Sequence, residues 1–273
     1  MRKHALLLLT AGALSFGQLA AVPANAQEPL PEADQLPPGL QSARVLPGWE
    51  LPNGNRMVAL ELQLQPGWKT YWRSPGDAGV PAVFNWESTQ NLAEARLHWP
   101  TPEVIDSGGL RTLGYHERLI LPIEMVAVDA DAPFSGHLRV DLGLCETICV
   151  PGHLSLELPQ IGESSDPQIE AALASVPVPE GEIAHCKLSE IRDGMNVTAV
   201  VAVQPGDAQS AAALEYDAEG VWVSEPKISV ADGQLMASAD FIDETGKPFE
   251  LDPAKVRLTL IDGTSGLEFE GCL

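Results

Sequence analysis

The chain reads as all-β, with two immunoglobulin-like β-sandwich domains joined by a linker that carries one short helix. Three observations predict this. Apolar and polar residues alternate with a period of two in many short runs, of which residues 56–65 (RMVALELQLQ) are the cleanest; such alternation marks half-buried strands. Among 273 residues there are 23 prolines and 24 glycines, spaced so that they end these runs as turns. Helix-period segments are scarce, and the length left after an export signal suits two modest domains better than one.

Taken in order, the chain opens with Arg2, Lys3 and His4, an apolar run over residues 5–22, and Ala24-Asn25-Ala26. A basic start, a short apolar core and an Ala-x-Ala end predict a secretory signal peptide over residues 1–26, cleaved after Ala26, and hence a periplasmic protein. No later stretch approaches the roughly 20 apolar residues of a membrane helix, so no direct membrane insertion is expected. Residues 27–41 form a proline-rich acidic lead-in. The first sandwich is predicted over residues 42–160. Its strands fall at 43–51, 56–65, 68–73, 83–86, 95–99 and 119–128, followed by two around a cysteine pair, which gives about seven to nine in all. Asn53-Gly54 supplies a hairpin turn, and Pro122 points to an edge or bulge in its strand.

Residues 161–182 read as the linker. Within it Asp166 is a cap residue, Pro167 suits the first helical position, and an alanine-rich continuation completes one short helix. The second sandwich is predicted over residues 183–273, with strands near 196–203, 220–223, 234–241 and 256–261. That half contains no cluster of catalytic residues.

Loss of the signal would remove two of 16 basic residues and none of the 38 acidic ones, moving the formal charge from -22 to -24. So acidic a protein repels nucleic acid and anionic lipid, and neither is expected as a partner. The four cysteines pair most simply by locality, Cys145 with Cys149 and Cys186 with Cys272. Chain entropy separates their roles. Closing the short loop stabilises by about 2 kcal/mol, whereas closing the long one gives about 4.5 kcal/mol. Cys186–Cys272 is therefore the structural staple of the second domain.

Cys145 and Cys149 sit at the tip between two alternating runs, 137–142 and 154–158. Their spacing leaves three chemistries open: a reversible dithiol that exchanges electrons with other proteins, a structural disulfide, or a copper(I) site completed by His137, His153 or Met125. Glu146, between the cysteines, would disfavour a thiolate. His116 and Glu117 could line the site or simply occupy an exposed strand face. Tyr71 and the neighbouring tryptophans read as core packing.

The motifs GWKTYWRSPGDAGVP (67–81), WPTP (99–102) and GYHERLILPI (114–123), followed by the cysteine tip, resemble in order the periplasmic amino-terminal domain of the DsbD/ScsB family of thiol:disulfide interchange proteins. The resemblance implies an immunoglobulin-like sandwich that exchanges electrons with no bound cofactor or metal. It also implies thioredoxin-like periplasmic partners and a membrane-embedded electron donor acting in trans. It assigns partner attack to Cys149 and resolution of the mixed disulfide to Cys145. Three residues separate the cysteines and Val150-Pro151 follows, which is the ScsB form. The family's cap loop, matched without gaps, places Asp106 and Gly108 just before the strand that Tyr115 begins, with Leu110 or Leu113 as substitutes for an aromatic shield. Asp106, Tyr115, His116 and Glu146 are thus expected to tune the pair.

Overall fold

The computed structural model describes residues 36–107, 109–202, 211–218, 220–231 and 233–272. The predicted export signal, most of the proline-rich lead-in and Gly108 lie outside them. In the first half the strands are β1 (Leu40–Glu50), β2 (Arg56–Leu64), β3 (Lys69–Tyr71), β4 (Val83–Asn85), β5 (Thr89–Gln90), β6 (Leu92–Leu97), β7 (Glu103–Ser107), β8 (Leu110–His116), β9 (Arg118–Ala127), β10 (Ser135–Cys145) and β11 (Cys149–Glu157). They form two sheets, ordered β1-β2-β9-β6 and β11-β10-β3-β8-β7, with β4 and β5 also paired to β10. Leu60, Leu62, Trp72, Leu121, Ile123, Leu138 and Leu144 fill the space between the sheets. β1 takes in the last two residues of the predicted lead-in.

The alternation in β2 implied one wet face, yet Met57 and Ala59 on its other face are also buried. The linker helix α1 (Pro167–Leu173) covers them, packing Ile169 among Leu46, Met57 and Ala59. Its start is as the sequence predicts: the Gln168 N–H donates to Asp166 Oδ1 at 2.7 Å. Pro122, expected at an edge or bulge, lies instead in β9 between β2 and β6. The Pro122 carbonyl accepts from the His98 N–H at 2.9 Å, one residue beyond the end of β6. Its missing N–H therefore points to where that neighbour stops, and little is lost.

The second half holds β12 (Val178–Ile183), β13 (His185–Ile191), β14 (Gly194–Val201), β15 (Ala211–Tyr216), β16 (Val221–Val223), β17 (Lys227–Ala231), β18 (Gln234–Asp243), β19 (Val256–Asp262) and β20 (Ser265–Cys272). Its sheets are β12-β20-β19-β15 and β13-β14-β18-β16, with β17 also on β18. Ile183, Val197, Phe241 and Leu258 form its core. The end of the expected linker is thus a strand, because β12 pairs in parallel with β20 despite Pro179. Cys186 on β13 and Cys272 on β20 are bonded, tying the two sheets together.

One charged cluster joins the sandwiches. Arg73, just past β3, places Nε 2.9 Å from Glu215 Oε1 and Nη2 3.0 Å from Glu215 Oε2; Nη2 also bonds Glu268. Burial alone would lower the Arg73 pKa, but the two carboxylates outweigh it and raise it. The guanidinium also lies 4.4 Å from the centroid of the Trp72 ring. Asp77 Oδ1 adds a second tie by accepting from the Glu225 N–H at 3.0 Å.

A Cys186→Ser, Cys272→Ser variant should lose about 4 kcal/mol of stability. Urea denaturation of the oxidised protein checks this; an unchanged midpoint would show that sheet packing alone holds the second sandwich.

Candidate functional site

β10 and β11 pair without a break from His137 opposite Glu157 to Cys145 opposite Cys149. The turn Glu146-Thr147-Ile148 closes the ladder, with the Glu146 N–H donating to the Ile148 carbonyl at 3.2 Å. The two cysteines are bonded, and their Cα atoms lie 4.1 Å apart. That closeness marks a non-hydrogen-bonded pair, in which the side chains leave the sheet on one face. By the two-residue period Gly143 and Pro151 form another such pair, so the Pro151 ring nitrogen faces away from β10, toward the open edge of the sheet.

The two sulfurs have unlike surroundings. β10 is internal, and Cys145 is only 2% exposed. β11 is the edge strand, and Cys149 is exposed. On the inner side Cys145 is the register partner of Lys69 on β3, and cross-strand partners hold their Cβ atoms about 5 Å apart. Lys69 is buried, which lowers its pKa.

Two residues along β3, the Tyr71 hydroxyl donates to Cys145 Sγ at 3.0 Å and lies 3.5 Å from Cys149 Sγ. A Cβ on Gly143 would come within 3.3 Å of the Tyr71 ring, and one on Gly79 within 3.0 Å. The missing side chains at these two positions leave room for the ring to lie over the sheet and aim its hydroxyl at the sulfurs. Burial raises the phenol pKa, so the group stays a donor through neutral pH. The sequence points to Tyr71 as packing, whereas its hydroxyl meets both sulfurs of the disulfide. Its place in the GWKTYWR motif was the available clue.

The other expected tuning residues fall at varied distances. Glu146 is in the turn itself and is exposed. His116 is level with Lys69, two strands from Cys145, with Nδ1 2.9 Å from Glu103 Oε2. Tyr115 points into the core on the opposite face, donating to the Pro100 carbonyl at 2.7 Å and stacking on Trp99; it does not reach the sulfurs. Asp106 is paired with Arg111, five residues along β8 from His116, or about 17 Å down the strand. The β7–β8 hairpin therefore does not bring Asp106 to the cysteines. Leu110 is exposed, and Leu113 belongs to the core, so neither replaces the aromatic cap.

Nor do the residues of the copper reading converge. Met125 is buried in the other sheet, His137 is at the far end of β10, and His153 pairs with Asp141 at 2.6 Å. Among the described residues no group of three or more His, Cys, Asp or Glu is arranged to hold a metal ion. Beside Cys149 an open groove of about 340 Å³ runs along β10 and β11, walled by Val80, Pro81 and Val83 and floored by Gly143 and Pro151. The arrangement can perform thiol chemistry at one open sulfur backed by a closed one.

Residues 42–160 match the family model of the thiol:disulfide interchange protein DsbD, N-terminal. Among solved structures, the N-terminal periplasmic domain of ScsB from Proteus mirabilis is similar, with 27% identity, a TM-score of 0.60, and coverage of 82% of this chain and 89% of that one. No curated protein matches the chain in sequence. No helix among the described residues is long and apolar enough to cross a membrane.

Tyr71→Phe keeps the ring and removes the donor. In the reduced protein it should raise the pKa of the more acidic thiol of the pair by about one unit, the worth of one hydrogen bond to a charged acceptor. The pH dependence of iodoacetamide alkylation reads this directly, and an unshifted profile would mean that the hydroxyl turns away once the bond opens.

Proposed function

We propose that the protein, whose residues 42–160 match the family model of the DsbD N-terminal domain, is an exported periplasmic thiol-disulfide exchange protein, a disulfide reductase in which Cys149 attacks and Cys145 resolves. The observation that carries this reading is the asymmetry within one bond, with Cys149 exposed and Cys145 closed off beneath Tyr71. An exchange pair needs one sulfur that a partner can reach and a second that acts only from within.

In the reduced protein the Cys149 thiolate attacks one sulfur of a partner disulfide. A Cys149–partner bond forms, the partner's own S–S bond breaks, and its other sulfur leaves as a thiolate that takes up a proton. Cys145, deprotonated, then attacks Cys149 Sγ and expels the partner's remaining thiolate, which is protonated in turn. Two electrons pass from the Cys145/Cys149 dithiol to the partner, and the disulfide is left in this chain. The Tyr71 hydroxyl, already on Cys145 Sγ, would hold a thiolate there by a charge-assisted hydrogen bond. The steps need no bound cofactor. Thioredoxin-like periplasmic proteins are the partners, and a membrane-embedded donor acting in trans restores the dithiol by the same steps reversed. Cleavage after Ala26 would deliver the chain to that compartment.

Two measurements test this together. Cys145→Ser should accumulate a mixed disulfide through Cys149 with an oxidised thioredoxin-like protein, whereas Cys149→Ser should trap none. In dithiol buffers the Cys145/Cys149 couple should have a potential between about -120 and -270 mV, the span of exchange proteins. A value below about -300 mV would mark a structural disulfide and remove the reading.

A further inference from the structure

We infer that the surface receiving the partner is not confined to the cysteine tip but runs across both sandwiches, from Cys149 over the 80–83 segment to Trp222, and that its occupant is a thioredoxin-like protein. The inference rests on the exchange reading of Cys149 and adds the second sandwich to it.

Two open depressions carry the argument. The groove at Cys149 is walled by Val80, Pro81 and Val83. A second depression of about 320 Å³ lies where the sandwiches meet, between the 73–81 segment and β15–β16, with Trp222 on its rim. Pro81 lines both, so the two form one continuous surface. Along it stand three of the large apolar side chains that the fold leaves in water: Val83 at 61% exposure, Val80 at 48% and Trp222 at 50%. The same groove also holds His153 and Asp141, which sit level with Val83 across β11, β10 and β4.

Size requires the surface to extend. Even a transient redox contact, which buries up to about 1,200 Å² in total and hence about 600 Å² on each partner, covers more than a three-residue turn and one cysteine provide. A partner whose sulfur bonds Cys149 must lie over the flanking surface, and the apolar path leads toward Trp222. Tryptophan is also the side chain most enriched among residues that dominate such contacts. The surface is already formed, because Arg73 and Asp77, on the segment that makes the shared wall, are tied to Glu215, Glu268 and the Glu225 N–H of the second sandwich. No ordering cost then falls on the encounter.

The test compares the rates at which reduced thioredoxin and reduced dithiothreitol, which is too small to span the surface, reduce the Cys145–Cys149 disulfide. Trp222→Ala should lower the thioredoxin rate about tenfold relative to the dithiothreitol rate, and Val83→Ser should act in the same direction. Val230→Ser removes an equally exposed apolar residue outside both depressions and should leave the ratio unchanged. An unchanged ratio in Trp222→Ala and Val83→Ser overturns the inference, and so does an unsubstituted protein that reacts with dithiothreitol but not with thioredoxin. An unsubstituted protein that reacts with neither overturns the exchange reading itself.

Discussion

The unbroken register of β10 against β11 is the constraint on which the site depends. A bond between Cys145 and Cys149 requires both side chains on one face at one level, and nine successive pairs hold them there. A slip of one residue would send one sulfur through to the core face. The same ladder aligns Gly143 with Pro151 and Asp141 with His153, so the groove floor is fixed by the pairing that fixes the bond. The sulfurs then differ through sheet order alone. β10 has β3 on its inner side, which brings Lys69 and Tyr71 against Cys145, while β11 has no further neighbour in the sheet.

The second sandwich reaches this site indirectly. Arg73 follows Tyr71 by two residues, and its guanidinium is held by two carboxylates of β15 and β20. Unpairing a charge cluster of this kind is expensive because its members have already lost their water. The segment that starts at Arg73 then passes over the Tyr71 ring and Gly143, where Val80 makes the close contact. The stiffness of the groove wall is therefore set partly in the second core, although no side chain of that half touches a sulfur in a described contact.

What was legible in the sequence was local. Period-two alternation marked β2, β9 and the strands flanking the cysteines, Asn53-Gly54 marked a hairpin, and Asp166-Pro167 marked the helix start. The inequality of the sulfurs was hidden, because it depends on β3 joining β10, and Tyr71 meets a partner 74 residues away. Arg73 bonds Glu215 across 142 residues, and nothing near either one announces it. Prolines disguised β12, which earns its strand geometry from a parallel neighbour near the end of the chain. Asp106 shows the opposite failing: an ungapped match along the sequence puts it on the family's cap loop, but the β7–β8 pairing carries it away from the sulfurs.

Pro151 has a consequence for how a complex ends. The strand beside the reactive sulfur has an open edge, and such edges invite backbone zippering by any extended segment that arrives. With its nitrogen turned to that edge, Pro151 deletes a donor two residues from Cys149, so an incoming strand finds a gap where its ladder would begin. Attachment is left to side-chain contact and one covalent bond. On the exchange reading, breakage of that bond by Cys145 would leave no backbone lattice to delay departure, as suits a relay that lets go rather than a trap.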